Sequence, residues 1–217
     1  MGANSRKNEQ IRAWSGDFGR EYTDRNSCTP AQLNEHYRKT YGTSRRELNE
    51  RFLQDIPKDA RILEVGCNMG TQLLLLKEMG FTHLSGIEIQ TYALGHARER
   101  LRDAQLLQAS ALAIPFDDRS FDLVFTSGVL IHIAPGDLPK AQAEIHRCAN
   151  KWVFGMEYYA PRMTEIVYRQ RRNLLWKADY ARLYLDAFDG LDLIREEHMP
   201  HLGSKNVDSM FLLRRKI

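Results

Sequence analysis

The run Arg61-Ile-Leu-Glu-Val-Gly-Cys-Asn-Met-Gly70 decides the fold. Arg61 to Val65 is a short apolar stretch closed by a glycine, which predicts a buried strand. Gly70 to Met79 carries a leucine run into a predicted helix that Gly80 stops. Strand, glycine turn and helix together open a β–α–β unit, and the alternation continues downstream. His83 to Glu88 reads as a strand, Thr91 to Arg102 as a helix, and Ala104 to Gln108 as a weaker strand. Phe121 to Phe125, a helix over Asp137 to Arg147, and Trp152 to Met156 follow. Strands separated by helices pair in parallel through right-handed crossovers, so an α/β, doubly wound, Rossmann-like core over residues 58–217 is expected.

The flanks differ from this core. Residues 1–57 read as a helical cap or lid with two capping boxes, Thr29-Pro-Ala-Gln32 and Ser44-Arg-Arg-Glu47. Pro30 stands at a first helical position, where its missing N–H is harmless. Trp14, Phe18 and Tyr22 recur every fourth residue as a helical stripe, with Trp14 and Phe18 read as core. Residues 157–188 read as an acceptor-side helical insertion, with helices near Thr164 to Leu175 and Ala178 to Phe188. Leu191 to Glu196 and Ser209 to Leu213 then supply a hairpin-like edge.

Composition narrows the function classes. A chain of 217 residues, 43% of them hydrophobic, can bury about 70% of the surface its unfolded form exposes. The formal charge of +3 is too small for extensive nucleic-acid binding. No apolar run reaches the roughly 18 residues of a membrane span, and Met1 to Gln10 is too polar for a secretory leader. Cys28, Cys67 and Cys148 are too scattered for a zinc site or a disulfide framework. A cytoplasmic monomer or homodimer is expected, with a small-molecule acceptor and without metal, membrane or nucleic-acid partners.

In an open parallel sheet, ligands bind beyond the carboxyl ends of the strands. That directs attention to Gly66-Cys-Asn-Met-Gly70. Gly66 permits a sharp turn and a close ligand approach, and Gly70 opens a helix whose free N–H groups favour negative charge. A dinucleotide loop needs glycine where Asn68 stands, which counts against NAD or FAD, and a P-loop needs lysine before Thr71. Glu88 follows Gly66 by 22 residues at the end of the second strand, where an acid accepts hydrogen bonds from ribose hydroxyls. A ribose without a pyrophosphate fits S-adenosylmethionine.

Leu63-Glu-Val-Gly-Cys-Asn-Met-Gly70, Gly86-Ile-Glu-Ile89 and Ile114-Pro-Phe-Asp-Asp-Arg-Ser-Phe-Asp-Leu-Val-Phe125 resemble the class I S-adenosylmethionine-dependent methyltransferases over about residues 55 to 157. The resemblance implies a seven-stranded sheet ordered 3-2-1-4-5-7-6 with its seventh strand antiparallel. It implies Glu64, Gly66, Cys67, Asn68 and Gly70 beside the methionine moiety, with Glu88 and Ile89 at the ribose. Ser110, Ala111 and Leu112 would line adenine, and Ser127 would lie at the end of the fourth strand. Tyr22, Arg25 and Asn26 are candidates to close over the cofactor. A narrower resemblance lies in Trp14 to Asn26 and Leu175 to Asp186, which are similar to methylases associated with pseudaminic (nonulosonic) acid biosynthesis. It implies an acceptor from a carbohydrate pathway.

The acceptor is expected beside the fourth and fifth strands. Thr126-Ser-Gly-Val-Leu-Ile-His132 lacks the Asn/Asp-Pro-Pro-Tyr signature of exocyclic-amine methylation. His132 is a candidate general base, loop packing being its other reading. Glu157 is a candidate base or anchor, and Tyr158 and Tyr159 are candidates to stack on the acceptor or to cover the core. Arg171, Arg172 and Lys177 belong to the stretch 161–182, which holds six basic against two acidic residues. Arginines there suit a carboxylate or phosphate, or form a solvated helix face. The functional expectation is an S-adenosylmethionine-dependent methyltransferase of a small, anionic acceptor such as a sugar-pathway intermediate. Its rivals are an RNA or protein methyltransferase and a catalytically silent S-adenosylmethionine-binding protein.

Overall fold

The computed structural model describes residues 10–216. Beyond helical residues 10–15, helices α1 (Asp17–Asn26), α2 (Pro30–Tyr41) and α3 (Arg45–Leu53) precede β1 (Arg61–Val65), α4 (Thr71–Glu78), β2 (His83–Glu88), α5 (Thr91–Arg100), β3 (Gln105–Gln108) and β4 (Phe121–Ser127). A 3₁₀ turn (Leu130–His132) leads to α6 (Leu138–Cys148) and β5 (Ala149–Tyr158). The short strands β6 (Thr164–Glu165) and β7 (Trp176–Lys177), then α7 (Tyr180–Ala187), β8 (Leu191–Pro200) and β9 (Val207–Arg215), complete the chain. The main sheet has seven strands in the order β3-β2-β1-β4-β5-β9-β8, with β6 and β7 paired apart from it. Strands β1 to β5 run parallel, whereas β9 is antiparallel to both neighbours. Counting only the main sheet, this is the expected 3-2-1-4-5-7-6 Rossmann-like methyltransferase order.

Alternation along the strands divides the core between two faces. Ile62, Leu123, Phe125 and Phe154 pack with Leu48 and Phe52 of α3 and Leu73 and Leu76 of α4. Leu63, Val65, Val124 and Val153 pack with Ile145 of α6 and Tyr180 and Tyr184 of α7. The register aligns the carboxyl ends: Val65 lies beside Ile87, Glu64 beside Phe125, and Ser127 beside Met156. Every loop that leaves these ends therefore opens on the same edge.

Both capping boxes form. Thr29 N–H donates to Gln32 Oε1 at 2.9 Å, and Ser44 N–H donates to Glu47 Oε2 at 2.7 Å. Each cap stabilises its helix by about 1 kcal/mol. No helix among the described residues is long and apolar enough to cross a membrane.

Two expectations are corrected. No helix covers Thr164 to Leu175; the segment is a two-stranded ribbon in which Thr164 pairs with Lys177 and Glu165 with Trp176. Leu174, Leu175 and Trp176 are all buried in succession, which one face of a helix cannot achieve, and Arg169, Gln170 and Asn173 take positive φ. The stripe from Trp14 to Tyr22 is also broken, because Gly16 is extended and separates helical residues 10–15 from α1. The rings still meet, with Trp14 at 5.2 Å from Phe18 and 5.3 Å from Tyr22. Trp14 is only partly buried, and its place is at the site, not in the core.

Candidate active site

The loop from β1 to α4 passes through Gly66 (φ 75°), Asn68 (φ 46°) and Gly70 (φ 72°), all left-handed. Asparagine tolerates that region better than most side chains. Asn68 therefore takes the conformation a glycine would take and adds two ties. Its N–H donates to Glu88 Oε2 at 2.9 Å, and its Nδ2 donates to Thr23 Oγ1 of α1 at 3.3 Å. Gln90 N–H donates to Glu88 Oε1 at 2.8 Å. Burial pushes the Glu88 carboxyl up while backbone N–H groups oppose that shift, and each oxygen keeps lone pairs to spare. A Cβ added to Gly66 would stand 2.6 Å from Val129 Cγ2, so the turn fits closely under the loop after β4. Arg147 clamps the next segment, donating to Phe116 O at 2.8 Å and Ile114 O at 3.0 Å.

Two pockets open on this edge. The first, of about 150 Å³, is walled by Glu88, Ser110, Ala111, Leu112, Val129 and His132 from the core and by Trp14, Gly19 and Tyr22 from the cap. The second, of about 450 Å³, has Glu64, Cys67, Gln72, Ser127 and Met156 at the strand ends. Its remaining wall includes Arg25, His36, Tyr37 and Tyr41 from α1 and α2, with Tyr158 and Asp208 from β5 and β9. Tyr22, Asn68 and Gly128 line both, and so form the neck between them.

The cap is fastened across the first pocket. Gln90 Nε2 donates to Trp14 O at 3.3 Å and Gly16 O at 2.8 Å. Gln10 Nε2 donates to Asn173 O at 2.7 Å, and Gln10 Oε1 accepts from Ala134 N–H at 3.3 Å. Trp14 lies 4.2 Å from the His132 ring. His132 Nδ1 is 2.8 Å from Leu174 O, and a carbonyl only accepts, so Nδ1 carries the proton and Nε2 the lone pair. Burial pulls the His132 pKa down to about 4, against the raising effect of that hydrogen bond.

At the floor of the second pocket, Glu64 is 3% exposed, and its Oε2 has no hydrogen-bond partner among the described residues. Burial raises its carboxyl well above the ordinary range, opposed by the positive field of Arg45. Arg45 itself is fully buried, donates to Tyr37 Oη at 3.2 Å and lies near the Phe154 ring at 5.7 Å.

The residues expected at the cofactor divide between the pockets. Gly66, Glu88, Ile89, Ser110, Ala111 and Leu112 line the first; Arg25, Glu64, Cys67 and Ser127 line the second; Tyr22 and Asn68 line both, and Gly70 neither. Of the acceptor candidates, Tyr158 lines the second pocket and His132 the first. Glu157 lines neither. It is 1% exposed and accepts from Val129 N–H at 3.2 Å and Ile131 N–H at 3.3 Å, holding the turn after β4. Burial pushes its pKa up to about 7. Tyr159 packs on His198 at 3.9 Å, Lys177 donates to Asn206 Oδ1 at 2.6 Å, and Arg171 lies 5.0 Å from the Phe18 ring. With Arg172, which is exposed, these residues stand outside both pockets, because the ribbon places its arginines on the outer surface.

Several pocket residues had not been singled out from sequence: Gln90 at the first pocket, and His36, Tyr37, Tyr41 and Asp208 at the second. Tyr37 and Tyr41 carried a signal, being four residues apart on one predicted helix. Asp208 carried none, since its contact with Tyr41 spans 167 residues.

Comparison with known proteins adds to this geometry. Residues 62–151 match the methyltransferase domain family. An uncharacterized protein of Haemophilus influenzae is 32% identical over 96 residues, which is 42% of this chain and 38% of that protein. An uncharacterized methyltransferase of Synechocystis sp. is 31% identical over 87 residues, 40% of this chain and 41% of that one. The matched region thus spans about two-fifths of either relative. Among solved structures, the Burkholderia thailandensis 1,6-didemethyltoxoflavin-N1-methyltransferase, with bound 1,6-didemethyltoxoflavin and S-adenosylhomocysteine, superposes with a TM-score of 0.75 at 14% identity. It covers 100% of this chain and 92% of its own. At that identity the likeness is one of fold. Together the matches show a methyltransferase domain over residues 62–151 on a class I methyltransferase fold, and the cofactor this domain and fold imply is S-adenosylmethionine. The residues present fit such a group, with a close-fitting glycine turn, a buried acid at the end of β2 and an unpartnered carboxyl oxygen beyond the neck.

Proposed function

We propose that the chain is an S-adenosylmethionine-dependent methyltransferase acting on a small acceptor held in the second pocket. The observation that carries this reading is the pair of pockets meeting at Tyr22, Asn68 and Gly128. One is apolar with a buried carboxylate, and the other is polar and aromatic. The bound cofactor supplies an electrophilic methyl group on a sulfonium.

The chain's own residues would bind and orient. Glu88 takes the ribose hydroxyls, and Ser110, Ala111 and Leu112 pack on the adenine. Glu64 takes the ammonium of the methionine part with its unpartnered oxygen. Tyr22 narrows the neck and excludes water. His132 remains neutral near pH 7, supports the Trp14 ring and shapes the cofactor pocket. Orientation of this kind can lower a bimolecular barrier by about 7–11 kcal/mol, so the reaction does not depend on a dedicated base. The likeness of Trp14 to Asn26 and Leu175 to Asp186 points towards a carbohydrate pathway, but the arginines expected to hold an acidic sugar line neither pocket.

Isothermal titration with S-adenosylmethionine and S-adenosylhomocysteine, with NAD as control, tests the reading. Micromolar binding of the first two and none of NAD is expected. Binding of NAD in preference to both would refute it.

A further inference from the structure

Asp208 is the carboxylate that the second pocket offers opposite the cofactor loop. It is 4% exposed and lies on β9, in register with Tyr158 of β5. Tyr41 Oη donates to its Oδ2 at 2.5 Å, and His201 Nε2 lies 3.1 Å from its Oδ1. Each oxygen thus holds one donor and can accept another. Burial raises the Asp208 carboxyl above its ordinary value, opposed by the Tyr41 and His201 hydrogen bonds and by the positive field of Lys177, whose Nζ is engaged by Asn206. A buried carboxylate steadied by a phenol and an imidazole is a strong acceptor for a hydroxyl or ammonium donor, and it repels an anion.

The walls around it agree. Tyr22, Tyr37, Tyr41 and Tyr158 surround the space, with Tyr37 and Tyr41 at 5.1 Å and 54°. Aromatic faces attract cations and pack against flat rings. Among the described residues, the cationic side chain that lines this pocket is Arg25, and it is paired with Glu21 at 3.5 Å. The arginine cluster that favoured an acidic acceptor is elsewhere.

We infer that Asp208 anchors the methyl acceptor, and that this acceptor is a neutral or cationic aromatic molecule bearing a hydroxyl or amine. The inference rests on the methyltransferase reading for what happens next, but not for the pocket's ligand preference. Three probes share a phenol ring and differ at one end: tyramine (ammonium), tyrosol (hydroxyl) and 4-hydroxyphenylacetate (carboxylate).

Each probe is titrated calorimetrically into the full chain, with and without S-adenosylhomocysteine. Tyramine should bind at least about tenfold more tightly than 4-hydroxyphenylacetate, with tyrosol between them. Asp208→Asn should bring that ratio close to one while leaving S-adenosylhomocysteine affinity within about twofold, the threshold for an unperturbed site. Tyr41→Phe, which keeps the carboxylate, should retain the preference. Equal or tighter binding of 4-hydroxyphenylacetate overturns the inference, as does an unchanged ratio in Asp208→Asn or no binding of any probe. Loss of the preference in Tyr41→Phe does so too, by moving the role to the phenol. Absence of S-adenosylhomocysteine binding counts against the cofactor reading alone, since the probe series without it still reports on the pocket.

Discussion

Replacing Glu157 with glutamine separates a structural carboxyl from a catalytic one. The side chain is 1% exposed, and its oxygens face the backbone N–H groups of Val129 and Ile131. Burial holds its pKa at about 7 in the folded chain, against an ordinary 4.5. Between those values the folded chain binds the proton that the unfolded chain releases. The stabilisation is therefore full below about pH 4.5 and is lost as pH rises through 7, a total of about 3 kcal/mol at 1.36 kcal/mol per pKa unit. Glutamine is neutral throughout, but its NH₂ cannot accept, so one backbone bond worth about 1 kcal/mol is lost at every pH. The variant should then be less stable than wild type by about 1 kcal/mol near pH 4, equal to it near pH 5, and more stable by about 2 kcal/mol above pH 8. Urea unfolding of both proteins from pH 4 to 8 reads this crossover, and titrations common to both, including that of His132, cancel in the difference. Parallel stability curves would refute the reasoning.

Other substitutions test the remaining assignments. Glu88→Ala removes the proposed ribose contact and the acceptor for Asn68 and Gln90 N–H, and S-adenosylhomocysteine affinity should fall by about tenfold or more in calorimetry. Gly66→Ala places a Cβ 2.6 Å from Val129 Cγ2 at a φ of 75°, and should lower stability by about 1–3 kcal/mol in urea unfolding. Replacing Arg171 and Arg172 together with alanine should leave cofactor affinity and the acceptor KM unchanged, since neither side chain lines a pocket. A raised KM would return the basic segment to the site.

Features written in short stretches of chain were legible. The β1 strand, its glycine turn and Glu88 follow one another within a single β–α–β unit, and the two capping boxes each need only four residues. The role of Glu157 was not, because its partners are the N–H groups of a loop that has no signature of its own. The ribbon escaped for a different reason. A basic, aromatic stretch satisfies helical propensity, and its consecutive buried residues show only when packed. The second pocket was least legible, since α2, β5 and β9 meet there through tertiary packing and a tyrosine–aspartate contact across most of the chain.

The fastening of the cap by Gln10 and Gln90 bears on the speed of ligand exchange. One wall of the first pocket is held by side-chain bonds to Trp14, Gly16, Asn173 and Ala134, with the Asn68–Thr23 and Tyr92–Asp24 bonds and the burial of Phe18 beside them. Such bonds contribute only about 1 kcal/mol each, so a local opening of this segment is expected to cost less than unfolding the sheet. The residence time of a ligand in that pocket is then expected to follow this opening as well as the contacts at Glu88. Weakening either glutamine would quicken arrival and departure alike, and leave the equilibrium affinity comparatively little altered.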